Sequence, residues 1–411
     1  MIYDIELSNI FSIKDSVVLS MEATSTNCKS QNYLEFAEGN HKCLKVGIIY
    51  GPNASGKTNI LRSLDVLRRI IIHSNNIGED QGLPFYLPFI LDTNNINEPS
   101  TIAVRLLLED EILYRYEIKF NALVILEESL SKQVDDDNIL MFRREIQSND
   151  KHYVVLEDGL KNIELSQKQI RRNQSILSYL QALNIPYVTD VALALTLKLQ
   201  LANSYNNNML NILWDDAKRL INNNVYKRRL EEFLMCLGTG VSGFRIPEKD
   251  DVFNTLTFLH RQKNGDGKYG EVSLSPFFES LGTRSLFLLG IKIIEALDKG
   301  YTLFVDELDS SFHTYITQYI INMFQDKRLN KNNAQLLMTT HDVQLMDEKT
   351  LRLDQIWLME KKADFSSDLV SLADFNDIDE STHIAEWYMA KRFGGIPNVG
   401  SIINLFKDET E

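Results

Sequence analysis

Cysteine is nearly absent from this chain: Cys28, Cys43 and Cys236 are the whole complement, and their spacing matches no thiolate metal site. A paired-cysteine metal centre is thereby excluded, and the scarcity points to a reduced, cytoplasmic setting. Long apolar runs are missing as well. No stretch could span a bilayer, so no membrane partner is expected, and Met1-Ile2-Tyr3-Asp4-Ile5-Glu6 reads as a strand rather than a signal peptide. Positive charge is in deficit: 43 lysines and arginines face 57 aspartates and glutamates, for a net charge of −14. That balance argues against a broadly basic, sequence-independent DNA-binding surface and leaves only a local patch formed by a dimer. Sustained heptads, internal repeats and long low-complexity tracts do not occur either, which argues against long coiled-coil arms.

Core-forming material is plentiful. A chain of 411 residues with 44% hydrophobic content can bury a large core, as one large domain or two lobes. Within it, the eight residues Gly51 to Thr58 read Gly-Pro-Asn-Ala-Ser-Gly-Lys-Thr. The apolar run Val46-Gly47-Ile48-Ile49-Tyr50 before them predicts a buried parallel strand. Ile60, Leu61, Leu64 and Leu67 after them recur at helical spacing. In a strand–loop–helix setting the glycines let backbone N–H groups converge on a β-phosphate, and the helix N-terminus adds positive dipole. Lys57 would bridge β- and γ-phosphates and the Thr58 hydroxyl would hold Mg²⁺.

Alternating patterns predict strands at Tyr3 to Leu7 and Val17 to Met21, then a run of strands from Thr101 to Leu130. A hairpin is expected from Ile139 to Leu156, turning through Ser148-Asn149-Asp150. The stretch from about Ser166 to Leu237 reads as polar and helical, a compact insert. A strand pair follows, Leu256 to His260 and Gly270 to Leu274. The last third alternates helix and strand, the rhythm of a parallel α/β sheet. The expected division is therefore an N-terminal lobe over 1–160, a helical insert over 161–240 and a C-terminal lobe over 241–411. Asp135-Asp136-Asp137 reads as a solvated loop, with a metal site as the alternative.

Thr302-Leu303-Phe304-Val305 ends in Asp306-Glu307. A buried parallel strand delivers both carboxylates to its C-terminal edge, where open α/β sheets bind ligands. There Asp306 would orient Mg²⁺ and Glu307 would polarise an attacking water. Gln335 to Thr340 predicts a second buried strand with His341 just beyond it, either beside a γ-phosphate or capping the next helix. Ser280, Gly282 and Thr283 precede an apolar helix, as an anion site or as an ordinary N-cap.

In this order, the four segments resemble the layout of ABC-type ATPases of the RecF and SMC kind. Within them the chain is similar to the bacterial abortive-infection AbiLi/RloA-like group. The resemblance spans nearly the whole chain. It includes Asn9-Ile10-Phe11-Ser12-Ile13-Lys14-Asp15, Glu98-Pro99-Ser100 leading to Tyr114-Arg115-Tyr116, and Asp309-Ser310-Ser311-Phe312-His313. It ends at Arg392-Phe393-Gly394-Gly395-Ile396-Pro397-Asn398. The fold it implies is α/β: an ABC-ATPase head of P-loop parallel sheet plus antiparallel β lobe, with a compact helical insert.

Carried onto this chain, the resemblance implies that Asn53, Ser55, Gly56, Lys57 and Thr58 bind ATP, and that Thr58 and Asp306 hold Mg²⁺. Glu307 is then the catalytic base and His341 the switch histidine. Ser280, Gly282 and Thr283 match the signature that closes over ATP on the opposite subunit, and Asp309 matches the loop crossing the dimer seam. Two departures stand: the signature lacks a double glycine and a glutamine, and no residue is an unambiguous glutamine loop, Gln133 included.

The implied protein is an Mg-dependent ATPase acting as a head-to-tail homodimer, or a higher even oligomer, that regulates an anti-phage effector. No nuclease constellation occurs in the chain, so the effector is expected to be a separate polypeptide, such as a nuclease or a RloB-like partner. A RecF-like DNA clamp and a nucleotide-binding scaffold without turnover are the alternatives. The acidic balance weighs against the first, and intact Lys57, Asp306 and Glu307 against the second. The helical insert and the Lys391 to Asn398 tail read as the partner-docking surfaces, with Phe393 and Ile396 pinning the tail to the core as the alternative.

Overall fold

The computed structural model describes residues 1–24, 29–36, 41–135, 137–146, 152–157, 159–161, 163, 170–202, 223–245, 256–310, 312–346, 350–378 and 382–396. The chain opens with strands β1 (Ile2–Ser8) and β2 (Val17–Ser20), the hairpin β3 (Tyr33–Phe36) and β4 (His41–Leu44), and then β5 (Val46–Tyr50). After the helix Lys57–His73 comes a meander of β6 (Ser100–Leu107), β7 (Leu113–Phe120), β8 (Ile125–Val134), β9 (Asp137–Ile146) and β10 (His152–Leu156). Helices Ile176–Ala182 and Pro186–Thr196 lead to β11 (Leu199–Ala202). Helix Asn224–Cys236 leads to β12 (Val241–Arg245), β13 (Thr257–Lys263) and β14 (Tyr269–Leu274). Then come helix Leu281–Lys299, β15 (Thr302–Val305), helix Thr314–Gln325, β16 (Gln335–Thr340), β17 (Ile356–Lys361), β18 (Ser367–Ser371) and helix Ile384–Met389.

Two sheets organise these elements. The first is a six-stranded sheet in the order β11-β15-β16-β5-β17-β18, parallel except for the β18 edge. The second is a seven-stranded antiparallel lobe in the order β10-β9-β8-β7-β6-β1-β2. The expected parallel sheet and antiparallel lobe are thus both present. The opening pair β1 and β2 belongs to the lobe, because β1 pairs with β6 as well as β2.

Strands of the parallel sheet carry no polar alternation because both faces are covered. Ile49, Phe304 and Leu337 enter one core with Ile60, Leu64 and Leu67 of the helix Lys57–His73. Ile48, Val305 and Met338 enter the other with Ile293, Ile320 and Phe324. Each such side chain, fully buried, contributes about 1.5–3 kcal/mol. Strand order then fixes the site: β16 lies between β15 and β5, with Met338 opposite both Val305 and Ile48, and Thr340 opposite Tyr50. The ends of all three strands share one edge.

Several elements differ from the sequence expectation. The stretch expected to be polar and helical contains β11, an edge strand whose Ala202 lies opposite Val305. Four residues with one glutamine carry too little periodicity to distinguish strand from helix. The helices before it are apolar where they pack: Leu177, Leu180, Val188 and Val191 are buried in the same core as the lobe. Farther on, Asn223 caps helix Asn224–Cys236 by accepting from the Val225 N–H, while Asn206 to Asn208 and Asn222 lie outside the described residues. The pair β13 and β14 gains a third strand, β12. Among the described residues no helix is long and apolar enough to cross a membrane.

Candidate functional site

The loop after β5 is shaped by close approach. A side chain at Gly51 would run into the Met359 carbonyl of β17, and one at Gly56 into the hydroxyls of Ser12 and Ser367. Gly56 sits at φ 108 as the N-cap of helix Lys57–His73, and no side chain caps that helix. With the Asn59 N–H bonded to the Gly56 carbonyl and no side chain capping the rest, the helix start is an anion site reinforced by the helix dipole. Lys57 is buried, and its ammonium donates to the carbonyls of Gly51 at 2.8 Å and Pro52 at 3.0 Å. Burial pulls the Lys57 pKa below the ordinary lysine range, while Glu307, Asp306 and Asp309 pull it back. The Ser55 hydroxyl is buried with no hydrogen-bond partner.

The acidic strand end meets this loop directly. Thr58 Oγ1 donates to Asp306 Oδ2 at 2.8 Å, and Thr339 Oγ1 donates to Asp306 Oδ1 at 2.7 Å. Glu307 has a left-handed backbone, φ 49, and its N–H donates to Thr339 Oγ1 at 2.7 Å. Its carboxylate lies 3.8 Å from His341 Nε2. Asp309 accepts the His341 N–H at 3.2 Å, and its other oxygen, Oδ1, is buried without a partner. The short helical turn after His341 is capped by Asp342, which accepts the Gln344 N–H, so His341 is left free of that capping task. Asn53 is exposed on the rim of a cavity of 890 Å³ that His341, Glu360 and Tyr388 also line.

Asn53, Ser55, Gly56, Lys57, Thr58, Asp306, Glu307, Asp309 and His341 are thus gathered at one sheet edge. Ser280, Gly282 and Thr283 are not part of that hydrogen-bonded group. Ser280 is exposed and caps helix Leu281–Lys299, accepting the Thr283 N–H at 3.0 Å and lying 2.9 Å from the Thr283 hydroxyl. The N-cap reading holds within the single chain. Phe277 and Phe278, just before it, are 84% and 79% exposed. Gln133 is a strand residue of β8, its amide donating to the Asp135 carbonyl. Asp135 turns between β8 and β9 at φ 52, Asp137 begins β9, and Asp136 lies outside the described residues, as do Ser311, Pro397 and Asn398.

Sequence reasoning missed the buttress behind the loop. Ser367 Oγ of β18 donates to the Ser55 carbonyl and shares a 2.7 Å bond with Ser12 Oγ, which accepts from Asn59 Nδ2 at 2.7 Å. Ser12 belongs to a segment already singled out by resemblance, but Ser367 carries no local signal. Nor did the sequence distinguish Thr339 from Thr340.

The residues fit a Mg²⁺–triphosphate. Thr58 and Asp306 supply the hard oxygens that Mg²⁺ takes in such sites. The unpartnered Ser55 hydroxyl and the uncapped helix start supply donors for phosphate oxygens.

The family model described as "AAA domain, putative AbiEii toxin, Type IV TA system" matches residues 48–347, from β5 past the end of β16. The chain belongs to that family, and the segment is a P-loop ATPase domain. A solved structure of the SmcHead bound to the C-winged helix domain of ScpA is similar at 15% identity and a TM-score of 0.45, covering 90% of this chain and 97% of that one. The recombination mediator RecF bound to ATP is similar at 13% identity and a TM-score of 0.37, again over 90% and 97%. A search of the curated proteins finds no match.

Proposed function

We propose that this member of the AAA-domain family hydrolyses ATP with Mg²⁺, and that turnover gates a dimer regulating a separate effector in bacterial anti-phage defence. The observation that carries the chemistry is the 2.8 Å bond from Thr58 to Asp306, which joins the phosphate loop to the acidic strand end. Thr58 and Asp306 would hold Mg²⁺, which when bound would supply charge neutralisation on the phosphates. Lys57, the Ser55 hydroxyl and the helix N–H groups hold the phosphate oxygens. Glu307 orients a water and accepts its proton as the water oxygen bonds to the γ-phosphorus and the bond to the β–γ bridging oxygen breaks. His341, 3.8 Å from Glu307, contacts the departing phosphate and restrains the carboxylate.

The dimer reading is supported by where the Ser280 to Thr283 segment sits, away from the loop cluster of its own chain. Ser280 and Thr283 bond each other at the start of their own helix rather than joining the loop cluster. A second copy, head to tail, brings them to the γ-phosphate of the first, with Asp309 at the seam. The regulatory role rests on the family's description, "AAA domain, putative AbiEii toxin, Type IV TA system", and on the resemblance of the segments noted above to the AbiLi/RloA-like group. The cytoplasmic setting rests on cysteine scarcity.

The test is direct. Purified chain should hydrolyse ATP with Mg²⁺ yet cleave neither DNA nor RNA with Mg²⁺ or Mn²⁺. Growth arrest should require a co-expressed neighbouring gene. Nuclease activity that copurifies through several columns and disappears on mutating an acid outside the ATP site would overturn the regulatory reading. Tight DNA binding at physiological salt would favour a clamp.

A further inference from the structure

We propose that Thr339 is the positioning residue of the acidic strand end, holding Asp306 and Glu307 in place from the neighbouring strand; this rests on the ATPase reading above. Thr339 is fully buried in β16, following the apolar run Leu336-Leu337-Met338. A buried hydroxyl needs partners, and this one has two. It donates to Asp306 Oδ1 at 2.7 Å and accepts the Glu307 N–H at 2.7 Å. A threonine hydroxyl has one hydrogen and two lone pairs, so both bonds form at once and their directions are fixed. The Thr339 carbonyl extends the grip by accepting the Leu308 N–H at 3.2 Å.

Each bond has a consequence for the chemistry. With Oδ1 tied to Thr339, Asp306 presents Oδ2 to Thr58, the second proposed metal ligand. With its N–H tied, Glu307 is held at φ 49, a conformation that a non-glycine residue keeps only where its surroundings enforce it. That backbone carries the Glu307 carboxylate to 3.8 Å from His341. The neighbouring Thr340 hydroxyl performs a different task, accepting the Asp342 N–H at 2.9 Å. One hydroxyl thus sets both the metal carboxylate and the base.

The experiment compares full-length Thr339→Val, which keeps the shape and loses the hydroxyl, with Thr339→Ser, which keeps the hydroxyl. Three quantities are read: the Mg²⁺ concentration for half-maximal binding of a fluorescent ATP analogue, kcat and KM for ATP, and melting without nucleotide. The valine variant should need about 10–100-fold more Mg²⁺ and lose about 10–100-fold in kcat, the range seen when the support of a metal ligand is removed. At saturating Mg²⁺ its KM should stay within about 3-fold, since loop contacts to phosphate are untouched, and serine should recover both quantities to within about 3-fold. Thr339→Ala, which cannot clash, serves if valine does not fold, with the same expected shifts. Parent-like Mg²⁺ dependence and kcat in the hydroxyl-free variants, or serine as impaired as valine, overturns the proposal. A parent chain that neither binds nor hydrolyses ATP overturns the ATPase reading with it, whereas variants matching an active parent overturn Thr339 alone.

Discussion

The Lys57 ammonium donates to the Gly51 carbonyl at 2.8 Å, six residues back along the same loop. The loop is therefore curled around its own cation, and a bound triphosphate would exchange those carbonyl partners for charged oxygens. Lys57→Ala should weaken ATP binding by about 100-fold or more, because two charge-assisted bonds at about 1.5–3 kcal/mol each are lost. Equilibrium binding of a fluorescent ATP analogue measures this. Affinity near the parent value would show that the lysine is not a phosphate ligand.

Glu307→Gln keeps shape and hydrogen-bonding reach while removing the basic oxygen. Nucleotide affinity should hold, and turnover should fall by roughly 10²–10⁴-fold, the contribution of a positioned base. Steady-state phosphate release is the assay, and an unchanged rate would assign the base elsewhere.

Ser280→Arg should abolish activity by blocking closure over the ATP of a second copy. Losing the Ser280 cap of helix Leu281–Lys299 should itself cost about 0.5–2 kcal/mol, so the variant's fold is checked by melting before its activity is compared. Mixed with Lys57→Ala chains, it should recover part of the activity, since each heterodimer keeps one composite site with an intact loop and an intact signature. Heterodimers that form and stay inactive would count against the head-to-tail arrangement.

In the tail, Phe393 packs against the core while Arg392 stays exposed. Phe393 is 8% exposed, with its ring 5.0 Å from Phe375 and 5.9 Å from Trp387, and the Arg392 guanidinium lies 4.1 Å over the Trp387 ring. Phe393→Ala should cost about 3–5 kcal/mol as a core truncation, and Arg392→Ala about 0.5–1 kcal/mol as a lost cation–π contact. Urea denaturation measures both. Unchanged midpoints together with lost partner function would return this segment to the docking surface first considered for it.

The sequence by itself determined the features written in contiguous residues. Gly51 to Gly56 is a loop running straight into a helix at Lys57 because its glycines and the helix start are adjacent in the chain. β5, β15 and β16 were legible because a strand buried on both faces must be an unbroken apolar run. Thr302 to Glu307 shows both the strand and its acidic end within six residues.

Tertiary structure decided what depends on strand order. Nothing local in Leu199–Ala202 says that it pairs with β15, or in Ser367–Ser371 that it closes the other edge, because pairing energy comes from partners more than a hundred residues away in one case and from packing in both. The same holds within the site. Thr339 and Thr340 are indistinguishable in sequence, yet a strand points successive side chains to opposite faces. Placing β16 between β15 and β5 is what turns the first hydroxyl onto Asp306 and leaves the second to Asp342.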